Sequence, residues 1–241
     1  MTTYNKLLIS GSSVTAGTSD LVAAQATPQT WTHFLLSSIK PTIFCNLAIP
    51  GCGNTAIAKN LIYTLEAKIE YTPNDTLVIF NIAPLDRVDI MCDIDHPNAN
   101  KYFSWAHDLG FGWITNGSFI ARIPPFNGII EKNMGFDAVV NYNALEIVGL
   151  VTYLESRGYN FHFMLDNINI LADAPNYLVN FLNSKTKHWI QFDECRALRE
   201  YCQDKQLMAD TEHPNLEGHQ LIADAVMQHL TDRKLVPGEK L

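Results

Sequence analysis

Short apolar runs alternate with longer segments of helical spacing along most of this chain. That alternation restricts the fold more than any other feature. The runs Lys6–Ser10, 42–47, Thr76–Ile82 and 159–165 read as strands, and Thr76–Ile82, the most continuous of them, belongs at the centre of a sheet. Thr27-Pro28 has the form of an N-cap followed by proline at the first helical position, opening a helix to about Ile39. A second helix over 54–69 sets Ile57, Leu61, Ile62, Leu65 and Ile69 on one side. A third starts at Asp137 as cap and closes near Arg157, where Gly158 suits the C-terminal cap. Helix, a weak fifth strand at 189–192 and another helix share 174–203. A last helix over 214–233 carries a stripe of Leu221, Ile222, Ala225, Val226 and Leu230. Strands separated by helices imply a parallel sheet covered on both faces. The expected class is α/β: a three-layer α/β/α sandwich around a central parallel sheet of about five strands.

The regular pattern breaks between 83 and 135. Trp105, Trp113, many Asn and Gly residues and Pro124-Pro125 follow one another without a period. This stretch reads as a long insertion with short helices in a single domain spanning 1–241. It is either a binding wall or lid, or an elaboration of one sheet edge. Composition allows a full core, since 47% of residues are hydrophobic and 17% charged. The net charge of -8 works against a nucleic-acid partner, which would call for a basic face. Five widely spaced cysteines, Cys45, Cys52, Cys92, Cys195 and Cys202, form neither a disulfide framework nor a CxxC zinc pair. Asp93, Asp95, His96 and His107 match no standard metal spacing, so neither metal nor cofactor is expected. No leader and no membrane-length apolar run stand out, which suits a cytoplasmic protein, although a trimmed secreted form would look the same. His219 and His229 read as surface or cap residues, with His219 alternatively bonding a nearby loop. The oligomeric state is not legible.

Two short stretches carry chemistry. "GSSVTAG", Gly11 to Gly17, puts two hydroxyls on a glycine-flanked turn directly after the first strand. Such a turn is ordinarily structural. In a parallel α/β sheet, however, it lies at the carboxyl ends of the strands, where ligands bind. "DTEHPN" places Asp210 and His213 three apart before the last helix, a pattern that also serves as an N-terminal cap. A nucleophilic serine needs a base, and the base needs a carboxylate to fix its tautomer.

Together these stretches resemble the SGNH hydrolases, also called GDSL-type esterases, from about residue 7 to residue 230. The family's first block, Gly-Asp-Ser-x-Thr-x-Gly, corresponds to Gly11 through Gly17. Its last block, Asp-x-x-His-Pro followed by Asn and a Gly-His pair, is matched by "DTEHPNLEGH". The resemblance implies a flavodoxin-like sheet, Ser13 as nucleophile, His213 as base and Asp210 as its orienter. "NLAIPGCGNT" supplies Asn46 and the oxyanion-hole Gly51 of the second block, to act with the backbone of Ser13. Two departures stand out. Ser12 replaces the aspartate before the nucleophile, and the Gly-x-Asn-Asp block after the third strand is absent, the strand running into "FNIAPLDR". Asn81 is the candidate replacement donor to the oxyanion. Arg87, just beyond the strand, is a candidate to bind an anionic group of the substrate. The implied activity is hydrolysis of a small acyl ester, such as an O-acetyl group on a carbohydrate. The alternatives are an O-acyltransferase with the same triad, or a weakly active or inactive module for binding or assembly.

Overall fold

The computed structural model describes residues 4–16, 30–93, 111–116, 135–209 and 213–236. Four strands form the central parallel sheet: β1 (Lys6–Ser10), β2 (Ile43–Asn46), β3 (Thr76–Ile82) and β6 (Asn160–Leu165). They lie in the order β2-β1-β3-β6. Beyond β6 the weak fifth strand is reduced to single parallel bridges, Phe163 to Trp189 and Leu165 to Ala197. The short segment turns away after Ile190, whose N–H bonds the Phe163 carbonyl, so no ladder develops. A sheet growing outward on both sides of β1 has the flavodoxin-like arrangement, with its crevice at the carboxyl ends beside β1.

The strands bury both faces, because successive side chains point to opposite sides. On one face Leu8, Val78, Phe80, Phe161 and Phe163 pack beneath three helices. These are α3 (Asn54–Ala67), α4 (Phe136–Arg157) and α6 (Asn176–Ser184). On the other face Leu7, Ile9, Leu77, Ile79 and Met164 meet α2 (Trp31–Ile39), α7 (Leu198–Asp204) and α8 (Leu216–Asp232). Two one-turn helices complete the set, α1 (Ser13–Ala16) after β1 and α5 (Asn169–Asp173) after β6. The result is a three-layer sandwich.

Several boundaries shift from expectation. Helix α3 ends at Ala67, and Ile69, expected on its apolar side, is 95% exposed. Gly135, not Asp137, caps α4, leaving Asp137 in the first turn, where its charge favours the dipole. The Thr27-Pro28 helix start lies outside the described residues; the described part of that helix begins at Trp31. Within 83–135, β4 (Val88–Asp93) and β5 (Phe111–Asn116) form an antiparallel pair. Trp113 anchors it by donating from Nε1 to Asn60 Oδ1 on α3, at 2.8 Å. The short helices expected of this segment, with Asp95, His96, Trp105 and His107, fall outside the described residues.

Candidate active site

The turn after β1 separates its two serines. Ser12 is fully buried, and its N–H and hydroxyl are both held by the Asn81 side chain. Ser13 is only part-buried. Its Oγ lies 3.1 Å from His213 Nε2, a contact between residues 200 positions apart. The turn closes through the Ser12 carbonyl, which accepts from Thr15 and Ala16 N–H and makes α1 a single helical turn.

His213 is presented by a stapled loop. Its carbonyl accepts from Ala209 N–H at 2.8 Å, and Asn215 N–H donates to the Leu207 carbonyl at 2.9 Å. Asn215 then caps α8, its Oδ1 accepting from Gly218 N–H at 2.8 Å. Asp210 lies outside the described residues. Behind this loop His219 is buried, contrary to the surface reading, and its Nδ1 accepts from Trp31 N–H at 3.4 Å. Burial, with some help from nearby His213, pushes His219 down to about 4, so it stands neutral behind the site.

The loop after β2 is drawn against the Ser13 turn. Asn46 Nδ2 donates to the Thr15 carbonyl at 3.1 Å. The Gly11 carbonyl accepts from both Ile49 N–H and the Cys52 thiol. Gly51 sits at φ 71°, the left-handed region that glycine enters without a side-chain clash. Gly11 is required by space: a Cβ there would stand 1.6 Å from Asn81 Oδ1.

Asn81 is engaged beneath the Ser13 turn. Its Oδ1 accepts from Ser12 N–H at 3.0 Å and from Thr15 Oγ1 at 2.7 Å, while its Nδ2 donates to Ser12 Oγ. The cause is strand alternation. Asn81 shares the face of Ile79, next to the exit of β1 where Gly11 leaves room, so its amide braces the turn from below.

Arg87 is also engaged. It is 7% exposed, and its Nη1 donates to the Cys52 carbonyl at 2.9 Å, one residue from Gly51. Asp89 completes this brace by accepting from Gly53 N–H at 2.8 Å and Ala56 N–H at 2.9 Å, capping α3 from outside the helix. Burial pushes the Asp89 carboxyl up to about 6, although those two N–H groups and Arg87 pull it down. Asn54 and Ala83 bond reciprocally at 2.9 Å, and Asn143 on α4 donates to the carbonyls of Leu85, Arg87 and Val139. Asp89 and Asn143 escaped notice in the sequence. The available signal was an asparagine on the apolar side of a long helix, where an unpaired amide would be costly.

No family model matches the chain, and no curated protein matches it in sequence. Solved structures do match. An acetylxylan esterase from Geobacillus stearothermophilus, in a catalytic mutant, is 15% identical; the alignment covers 95% of each chain at a TM-score of 0.50. The two chains share their fold. A psychrotrophic esterase from Pseudoalteromonas is 16% identical over 95% of this chain and 98% of its own, at 0.48. A lipolytic G-D-S-L protein from Veillonella parvula is 13% identical over 94% and 98%, also at 0.48. Among the described residues, no helix is long and apolar enough to cross a membrane, and no group of three acidic, histidine or cysteine residues could hold a metal ion.

Proposed function

We propose that this chain is a serine ester hydrolase, on the strength of one observation: His213 Nε2 lies 3.1 Å from Ser13 Oγ. At that distance a neutral imidazole can take the hydroxyl proton as Oγ attacks an acyl carbonyl. In this reading Asp210 holds Nδ1–H and stabilises the imidazolium. Backbone N–H groups of Ser13 and Gly51 receive the oxyanion. The imidazolium then returns its proton to the leaving alkoxide as the C–O bond breaks, giving alcohol and acyl-enzyme. Water, deprotonated by His213, attacks the acyl-enzyme and releases the acid and free Ser13. The substrate class is a small acyl ester on a carbohydrate, by analogy with the acetylxylan esterase.

Engagement of Asn81 beneath the turn leaves two backbone donors for the oxyanion. Loss of a donor of this kind costs about a hundred- to a thousandfold in rate, so slow turnover belongs to the reading. A fluorophosphonate probe should give one adduct on Ser13, and Ser13→Ala should abolish hydrolysis of p-nitrophenyl acetate. Unlabelled Ser13 between about pH 6 and 9, where a His-activated serine reacts, would favour a binding module. Product analysis with an added sugar acceptor separates acyl transfer from hydrolysis.

A further inference from the structure

A cavity of about 280 Å³ opens at the carboxyl ends of β3 and β6. Its polar lining includes Asp86 and Arg87 from the loop after β3, Asn167 and Asp173 from the segment after β6, and Arg199 on α7. Phe136, at the start of α4, adds an aromatic face that is 45% exposed. We propose that this cavity is a subsite for a single neutral sugar ring, the alcohol half of the ester. The proposal rests on the hydrolase reading above for what the bound ring is used for, but not for its binding.

Three observations carry it. The first is location. Strand β3 lies between β6 and β1, and strands are about 4.8 Å apart, so the cavity opens one to two strand spacings to the side of the Ser13 turn. Arg87 joins the two places directly, because it lines the cavity and bonds the Cys52 carbonyl beside Gly51.

The second is unmet hydrogen-bonding capacity of both kinds. Arg87 Nε and Arg199 Nε are buried donors without a partner, and Asn167 Oδ1 is a buried acceptor without one. Arg87 and Asn167 are themselves more than nine-tenths buried. Native structures seldom leave such groups unpaired, so a guest that lets these side chains turn toward it gains on both counts. Hydroxyl groups donate and accept at once, which matches this mixture.

The third is charge. Two arginines and two aspartates line the cavity, and Arg199 is further tied to buried Asp166 by a 3.3 Å ion pair. With the two signs balanced in the lining an anion gains little net attraction, and Asn167 Oδ1 would gain nothing from it. In this proposal a neutral polyol stands beside Arg87 in place of the expected anionic group. The volume lies near the lower end of the roughly 300–1,000 Å³ of ligand pockets, enough for one ring. The Phe136 face suits the C–H side of such a ring.

Saturation-transfer NMR on the full chain tests this. The probes are neutral methyl glycosides (xyloside, glucoside and galactoside) and the methyl glucuronide. The expected result is binding of at least one neutral glycoside, retained in Ser13→Ala and about tenfold weaker in Asn167→Ala and Asp173→Ala. Asp173 is exposed, so Asp173→Ala should fold like the wild type, which a thermal melt checks. Failure of every neutral glycoside to bind, undiminished binding in Asp173→Ala, or tighter binding of the glucuronide would each overturn the proposal. Because the Ser13→Ala protein reports binding without chemistry, the loss of the hydrolase reading would show separately, as an inert Ser13.

Discussion

One methyl group at Gly11 is enough to take the candidate site apart. It would occupy the place of Asn81 Oδ1, the acceptor for Ser12 N–H and Thr15 Oγ1. Gly11→Ala should lower stability by about 1–3 kcal/mol, the usual range for overpacking, and reduce esterase turnover further because the Ser13 turn loses its brace. Denaturant unfolding and p-nitrophenyl acetate kinetics check the two effects. Asp89→Asn is milder. An amide oxygen still accepts from Gly53 or Ala56 N–H, but its NH2 group cannot accept from the other. Turnover should fall about tenfold, the effect of one mispositioned hydrogen bond, with KM little changed. At this scale the sequence separates function from support poorly. "GSS" offers two equivalent hydroxyls, and Ser13 was singled out by family resemblance. The structure distinguishes them by burial, since Ser12 is enclosed with Asn81 and Ser13 meets His213. The direction of Asn81 is not legible either, because a strand residue can face either way and its direction depends on the empty place at Gly11.

At the scale of elements, the segment after β3 does work that family resemblance did not suggest. Lacking the Gly-x-Asn-Asp block, it holds the Gly51 loop through Arg87 and Asp89 and is itself held by Asn143 on α4. Asn143→Leu would leave the Leu85 and Arg87 carbonyls without this donor and Asn54 N–H without its acceptor in a buried setting. A loss of about 2–4 kcal/mol is expected, within the range for breaking a buried polar network, and a thermal melt measures it. Strands β1 and β3 are legible in full because their apolar runs are bounded by turn residues on both sides. The antiparallel pair β4–β5 was not. Val88–Asp93 alternates only loosely, and its pairing partner lies beyond a stretch of 17 residues, from 94 to 110, so nothing local signals a ladder.

The molecule as a whole carries a pH liability on the α8 side of the sheet. His162 is 2% exposed on β6, its Nδ1 lies 2.9 Å from His229 Nε2, and Arg233 Nε donates to the same His229 nitrogen. His188 adds a third ring, stacked on Phe161. Burial, aided by neighbouring His229, His188 and Arg233, pushes His162 down to about 2. Burial together with Arg233 pushes His229 down to about 4. With His219, three imidazoles are held neutral when folded but titrate near 6.5 when unfolded. The unfolded chain therefore binds more protons, and stability present above pH 6.5 is lost as pH falls. The slope is about 1.4 kcal/mol per pH unit for each histidine. Asp89 acts oppositely between its ordinary value and about 6, one group against three. The melting temperature should drop steeply from pH 6.5 to 4, and the slope should flatten in His162→Gln.

Pairing of Ser13 with a histidine 200 positions later also has a consequence in time. A chain emerging from the ribosome carries its serine 200 positions ahead of the matching imidazole. Until α8 docks against α2 the hydroxyl is an ordinary alcohol. On the proposed reading, reactivity toward esters therefore begins only after His213 has been synthesised and its loop has docked.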